Sequence, residues 1–354
     1  MKNRLYKESQ ANSIYFEENK KINLLKAEDD ISKIVKNTKF DEYFELLDII
    51  SSGSHGKVYK SKFRKINTNK FAACKFIIPK NKENSQRNDE KKGIMEIFLH
   101  SKLKFKNIPD IYGYYKIQGG TCIAMEYEKF GDLQNFKYNL LKKKTFSESL
   151  LSYLSHEILD AISFIHRNKI MHMDIKPENI LIDEFLNVKL TDFSISFKYS
   201  SFNKYIQLPR LGTSYFMSPE VLNNEKILVE EASKIDIYSF GVLLYKLAFC
   251  DYPYDLRNLK NTEYESILKN IRENELNFLE EKGHSIMFKN FLRKCLEKNI
   301  KKRYNIYEAM QDPWIKASRI ILEQKEKIND VGKFLISIMV NDIIEFNKYV
   351  NINN

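Results

Sequence analysis

Between Ile170 and Asp192 the chain sets a carboxylate (Asp174), a cation (Lys176), an amide (Asn179) and a second carboxylate (Asp192) at close spacing. Ile180-Leu181-Ile182 and Val188-Lys189-Leu190, with a polar turn between them, read as strands. The first three groups therefore lie on a loop leading into a strand, and Asp192 lies at a strand end. Such a set suits phosphoryl transfer. One carboxylate orients a hydroxyl, amide and carboxylate oxygens hold Mg²⁺, and the lysine spreads charge on the moving phosphate. The plainer alternative is a polar turn in which Asp and Asn cap neighbouring backbone groups. The rest of the chain decides between the two.

His172-Met173-Asp174-Ile175-Lys176-Pro177-Glu178-Asn179 followed by Asp192-Phe193-Ser194 resembles the catalytic loop and D-F-G motif of protein kinases. The other elements of that family follow in order. Ile50-Ser51-Ser52-Gly53-Ser54-His55-Gly56-Lys57-Val58 is similar to the Gly-rich phosphate loop, where glycine lets backbone N–H groups approach phosphate oxygens. Phe71-Ala72-Ala73-Cys74-Lys75 reads as a buried strand ending in the phosphate-binding lysine, and Glu96 as its partner on helix C. Thr121 to Tyr127 resembles the strand entering the adenine-binding hinge, with Met125 as gatekeeper, backbone groups of Glu126 and Tyr127 on the adenine edge, and Asp132 for the ribose or a basic substrate residue. Leu151, Leu154, Ile158, Ile162 and Ile165 recur at helical spacing ahead of the catalytic loop. Asp192 to Glu220 resembles an activation segment ending in Ser218-Pro219-Glu220, Asp236 opens a helix that ties down the catalytic loop, and Arg303 is the expected partner of Glu220.

The resemblance implies an α+β, two-lobed kinase fold: a small β-rich N-lobe with helix C over about 43–127, and a larger, mostly helical C-lobe over about 128–315. Residues 1–42 form an extension in which Leu24, Leu25, Ile31, Ile34 and Val35 suit an amphipathic helix. Residues 316–354 form a helical extension carrying Leu335, Met339, Ile343, Phe346 and Val350 on one face. That face is expected to lie on the catalytic domain, and both terminal helices are candidate sites for a regulatory partner.

The implied activity is ATP-dependent protein Ser/Thr phosphorylation with Mg²⁺ as cofactor and Mn²⁺ as a substitute. Asp174 is the orienting base, Lys176 the phosphate clamp, Lys75 and Glu96 the phosphate-binding pair, and Thr213 a further catalytic-site member. Asn179 and Asp192 are the metal ligands. Ile50, Gly53, Ser54, Gly56, Val58, Ala73, Lys75, Met125, Glu126, Tyr127, Asp132 and Leu181 are the nucleotide-binding set. Ile195 after the D-F-G position implies a preference for threonine acceptors.

Composition fits this reading. A length of 354 residues with 43% hydrophobic content supports a sizeable core. The net charge of +11 is spread along the chain, so no nucleic-acid partner is expected. Cys74, Cys122, Cys250 and Cys295 form no C-x-x-C pair and no signal-peptide pattern opens the sequence, so an intracellular, cytoplasmic location is expected, with the nucleus also allowed. The longest apolar run, Phe240 to Cys250, is broken by Lys246 and too short for membrane insertion.

Four departures from the family pattern bear on mechanism. Ser51 replaces the first loop glycine, Ser194 the glycine of D-F-G, Met173 the arginine that binds an activation-loop phosphate, and His100 an apolar position on helix C. Together with Pro209, four residues before Thr213, the loss of that arginine implies an enzyme active without activation-loop phosphorylation. The competing classes are a turnover-free scaffold and a small-molecule kinase. The first is disfavoured by the intact Lys75, Glu96, Asp174, Asn179 and Asp192, the second by the full activation segment.

Overall fold

The computed structural model describes residues 35–36, 40–53, 56–65, 70–78, 96–118, 120–136, 146–256, 259–260, 263–278 and 283–327. The tail face at 335–350 lies outside these residues, as does the N-terminal apolar repeat except for Val35.

Five antiparallel strands build the N-lobe: β2 (Phe44–Gly53), β3 (Gly56–Phe63), β4 (Phe71–Ile77), β5 (Ile111–Ile117) and β6 (Gly120–Glu126), in the order β5-β6-β4-β3-β2. A short β1 (Val35–Lys36) joins the outer edge parallel to β5, pairing Val35 with Tyr114. This corrects the helix expected to end at Val35. An open strand edge carries unpaired N–H and C=O groups, and an extended β-branched residue satisfies them.

Alternation along the strands sorts the lobe's two faces. Ala72, Cys74, Cys122, Ala124 and Tyr115 seal one face together with Phe40 and Phe44. Phe40, in the stretch read as an extension, stacks on Phe44 at 5.4 Å. The opposite face carries Ala73, Ile123 and Met125, with Lys75 in register with Ile123. Against it packs α1, helical over 96–102, through the buried Ile97, Phe98 and Leu99.

Two helices organise the C-lobe. In α2 (Glu148–Arg167), Ser147 caps the N-terminus by accepting from the Leu150 N–H, and Leu151, Leu154, Ile158, Ile162 and Ile165 form the expected buried stripe. In α3 (Lys234–Phe249) nearly every side chain is buried, so this helix is a core element surrounded on all sides. Trp314 closes the domain, fully buried against Phe288 and Phe291, with its indole N–H donated to Glu148 Oε1 at 2.8 Å. Beyond it, α4 (Ser318–Lys327) lies along α2. Ile321 is fully buried, and Lys325 Nζ donates to Tyr153 Oη at 2.6 Å and Asn187 Oδ1 at 2.9 Å. Among the described residues no helix is long and apolar enough to cross a membrane.

Candidate active site

The loop from His172 to Asn179 leaves the short strand β7 (Ile170–Met171) and enters β8 (Ile180–Ile182), which pairs with β9 (Val188–Leu190). Its backbone is fastened to the core by one side chain. Asp236, in the first turn of α3, accepts from the N–H groups of His172 at 2.8 Å and Met173 at 2.9 Å, and lies 2.8 Å from His166 Nε2. Burial alone would raise the Asp236 pKa, but the hydrogen bond and charge of His166, together with the Met173 N–H, hold it below the usual range. Met173 sits in the left-handed region at φ 68°, a conformation disfavoured for its side chain and held here by this anchorage. His172 donates from Nε2 to Thr191 O at 2.9 Å while its Nδ1 accepts from the Asp174 N–H at 3.3 Å, so both faces of the ring have fixed roles.

Around Asp174 the expected groups converge. Lys176 Nζ lies 2.7 Å from Asp174 Oδ2 and 3.0 Å from Thr213 Oγ1. The Thr213 N–H donates to Asp174 Oδ1 at 3.2 Å. Asn179 Nδ2 donates to Asp174 O at 2.8 Å and Oδ2 at 3.0 Å. Gly212, at φ +97°, leaves the approach to the carboxylate open. A Cβ there would stand 3.0 Å from both Asp174 Oδ1 and Ile195 Cδ1.

Lys75 Nζ is shared between Glu96 Oε1 at 2.6 Å and Asp192 Oδ1 at 2.9 Å. This joins strand β4, helix α1 and the end of the β8–β9 hairpin. Burial opposes the Lys75 charge, yet the carboxylates of Asp192 and Glu96 outweigh it and raise the lysine's pKa. Phe193 is fully buried between the rings of His100 and His172, each 5.2 Å away. His100, 2% exposed, hydrogen-bonds Pro109 O through Nε2 at 3.0 Å, and burial drops its pKa to about 4. It is a neutral core histidine, with that bond and neighbouring charges only modulating the effect. Ser194 is buried and its N–H approaches Asp192 Oδ1 at 3.4 Å.

Carboxylate and amide oxygens from Asp192 and Asn179 form the hard-oxygen donor set that Mg²⁺ prefers. With Asp174 beside Lys176, the arrangement can orient a hydroxyl, balance phosphate charge and hold a metal next to Lys75.

The nucleotide set is placed more variously. Ala73 and Met125 are buried, Val58 and Leu181 half-buried, and Ile50 is 42% exposed at the end of the sheet. Gly53 and Gly56 close the β2–β3 hairpin, and Ser54 lies outside the described residues. Gly56, at φ +122°, has a packing reason beyond phosphate approach: a Cβ there would stand 2.1 Å from Phe76 O on β4. Ser51 is exposed and paired with Val58 in the strand. Two members of the set already have protein partners. The Glu126 N–H donates to Asp110 O at 2.8 Å. Both Asp132 oxygens accept from Asn135, its N–H at 2.8 Å and its side-chain amide at 2.6 Å, so this carboxylate caps its own turn.

Met173 explains what occupies the place of the expected arginine. It is 6% exposed in an apolar cluster with Ile195, Phe197, Ile206, Leu208 and Met217, which joins the catalytic loop to successive points along the activation segment. Further on, the buried Arg303 makes a bidentate pair with Glu220, Nη1 to Oε1 at 2.7 Å and Nη2 to Oε2 at 3.0 Å. His166, which no motif singled out, supports Asp236, and only the meeting of the α2 C-terminus with α3 reveals it.

A family model described as a protein kinase domain matches residues 44–315. An Aurora kinase of Eremothecium gossypii is 29% identical over 277 residues, spanning 78% of this chain and 70% of its own length. Death-associated protein kinase 2 of Homo sapiens is 29% identical over 287 residues, and that of Mus musculus 30%, each spanning 79% of this chain and 73% of the relative.

Proposed function

Because this chain belongs to the protein kinase family and is a protein serine/threonine kinase, we propose that it phosphorylates protein hydroxyls with threonine preferred over serine, and that it does so without phosphorylation of its activation segment. The observation that carries the second part is the apolar seat of Met173. An arginine there would order the segment by pairing with a phosphate. Here burial of Met173 with Ile195, Phe197, Ile206 and Leu208 supplies the cohesion and needs no phosphate. Threonine preference rests on Ile195, the β-branched residue two places after Phe193, which is buried beside Gly212.

In this reading Asp174 orients the acceptor hydroxyl and takes its proton. The acceptor oxygen bonds to the γ-phosphorus of ATP, the bond to the bridging oxygen breaks, and ADP leaves. Lys176 spreads the charge of the transferred group and Thr213 holds both residues. Lys75, oriented by Glu96, holds the α- and β-phosphates. Asn179 and Asp192 would hold Mg²⁺, which the family uses with ATP and which neutralises the phosphate charge when bound. The domain limits of about 43 and 315, an intracellular location with none of its four cysteines in a disulfide, and a regulatory partner at the terminal segments belong to the same proposal.

The test compares phosphatase-treated protein, verified by mass spectrometry, with untreated protein on matched threonine and serine peptides. Equal activity of the two preparations and a higher kcat/KM for threonine are expected. A large loss on dephosphorylation, or equal use of both acceptors, overturns the corresponding part.

A further inference from the structure

At the outer edge of the hinge lies a pocket of about 320 Å³, walled by Lys60 of β3, Lys70 and the start of β4, the start of β5, hinge residues 126–129 and the β8–β9 turn, so that its acidic side chains outnumber its lysines by four to three. None of the catalytic-loop residues lines it. Its size is at the small end of ligand pockets, suited to one side chain. We propose that this pocket receives an arginine side chain from a bound protein segment, with Glu128 as its carboxylate anchor.

The reasons begin with Glu128. Its side chain lines the pocket at 5% exposure, and among the described residues its Oε1 has no hydrogen-bond partner. A buried carboxyl oxygen without a donor is costly, and a donor supplied by a ligand removes that cost. The neighbouring acids are already served. Glu126 is paired with Lys189 at 2.7 Å and Glu184 with Lys129 at 3.6 Å, while Asp183 accepts from the Asn187 N–H and side-chain amide, both at 2.7 Å. Burial first, then the charges of Glu126 and Asp183 and a side-chain hydrogen bond with Glu126, with Lys189 only partly opposing, lift the Glu128 pKa to about 8, and it is the other oxygen, Oε1, that is left for a ligand. An incoming guanidinium favours its ionised form.

The walls add the second half of the chemistry. Phe71 and Tyr127 already take a cation on their faces, with Lys60 Nζ 4.0 Å and 5.1 Å from their ring centroids. Phe185 and Tyr112, 59% and 37% exposed, stand at the rim as unburied aromatic surface. A planar guanidinium stacks on such rings and donates to a carboxylate at once, which an ammonium does less well. Apolar residues flanking the arginine would cover Phe185.

The test uses the full chain saturated with a non-hydrolysable ATP analogue and the peptide acetyl-Leu-Arg-Leu-amide, followed by saturation-transfer NMR. Its counterpart carries the neutral isostere citrulline. Binding of the arginine peptide is expected. Losing the charge-assisted contact through citrulline or Glu128→Gln weakens it about tenfold. Phe185→Ala is expected to weaken binding severalfold while leaving peptide phosphorylation unchanged. Because Phe185 is exposed, this variant keeps the test valid if Glu128→Gln fails to fold. Equal binding of both peptides overturns the proposal, as does loss of binding once the analogue is present. Sensitivity to Glu178→Gln with none to Glu128→Gln or Phe185→Ala would place the peptide in the substrate cleft and overturn it too. Phosphorylation is read separately, so failure here leaves the kinase assignment standing.

Discussion

Asp174 illustrates how much one side chain does when its neighbours are fixed. One oxygen accepts from Thr213 while the other meets Lys176 and Asn179, so its direction is set before any substrate arrives. Asp174→Asn keeps the shape and removes the carboxylate proposed as the base. It is expected to lower kcat by about 10²- to 10⁴-fold with little change in the KM for ATP, measured by steady-state kinetics. His100 offers a residue-scale prediction of a different kind. The unfolded chain protonates this histidine near its ordinary 6.5, the folded chain only near pH 4. Between those values the unfolded state binds more protons, so stability present above pH 6.5 is lost as pH falls, by about 3 kcal/mol across the window. His100→Leu should flatten that part of the curve in denaturant titrations at pH 7, 6, 5 and 4. An unchanged slope would show that other groups govern acid sensitivity.

Elements position these residues through a few buried ties. The first turn of α3 holds the catalytic loop through Asp236, α1 holds Lys75 through Glu96, and the short helix Pro219–Leu222 is held by Arg303 on Glu220. The activation segment is held by packing as well as by these bonds. Met173→Arg places an unpaired charge in the cluster of Ile195, Phe197, Ile206 and Leu208 and is expected to cost about 3–5 kcal/mol. Met173→Leu conserves volume and should cost below about 1.5 kcal/mol. Chemical denaturation with an activity assay distinguishes the two. Equal stability of the arginine variant would mean that the segment is not held by this cluster.

At the scale of the whole molecule, α4 ties together segments far apart in the chain, since Lys325 bonds Tyr153 on α2 and Asn187 in the β8–β9 turn. A chain ended at Ala317 loses the buried Ile321 and both hydrogen bonds. It should lose about 2–3 kcal/mol, some 3–5 °C in Tm by calorimetry, with the active site intact. An unshifted Tm would make α4 a passive appendage. Motif chemistry made the kinase fold, the Asp174–Lys176–Asn179–Asp192 set and the Lys75–Glu96 pair legible from sequence, because phosphoryl transfer demands those residue types in a fixed order. The long helix α2 was legible through its apolar period, since an amphipathic helix writes its burial into its spacing. What tertiary structure alone decided concerns which partner a group finds when several are within reach. Asp132 caps its own turn, the Glu126 N–H goes to Asp110, Val35 extends a sheet edge, and Met173 finds apolar neighbours from segments far along the chain. Local pattern fixes what a side chain can do, but its competition among hydrogen-bond and packing partners is settled only when distant segments meet, because burial makes an unmade bond or an empty contact too costly to leave.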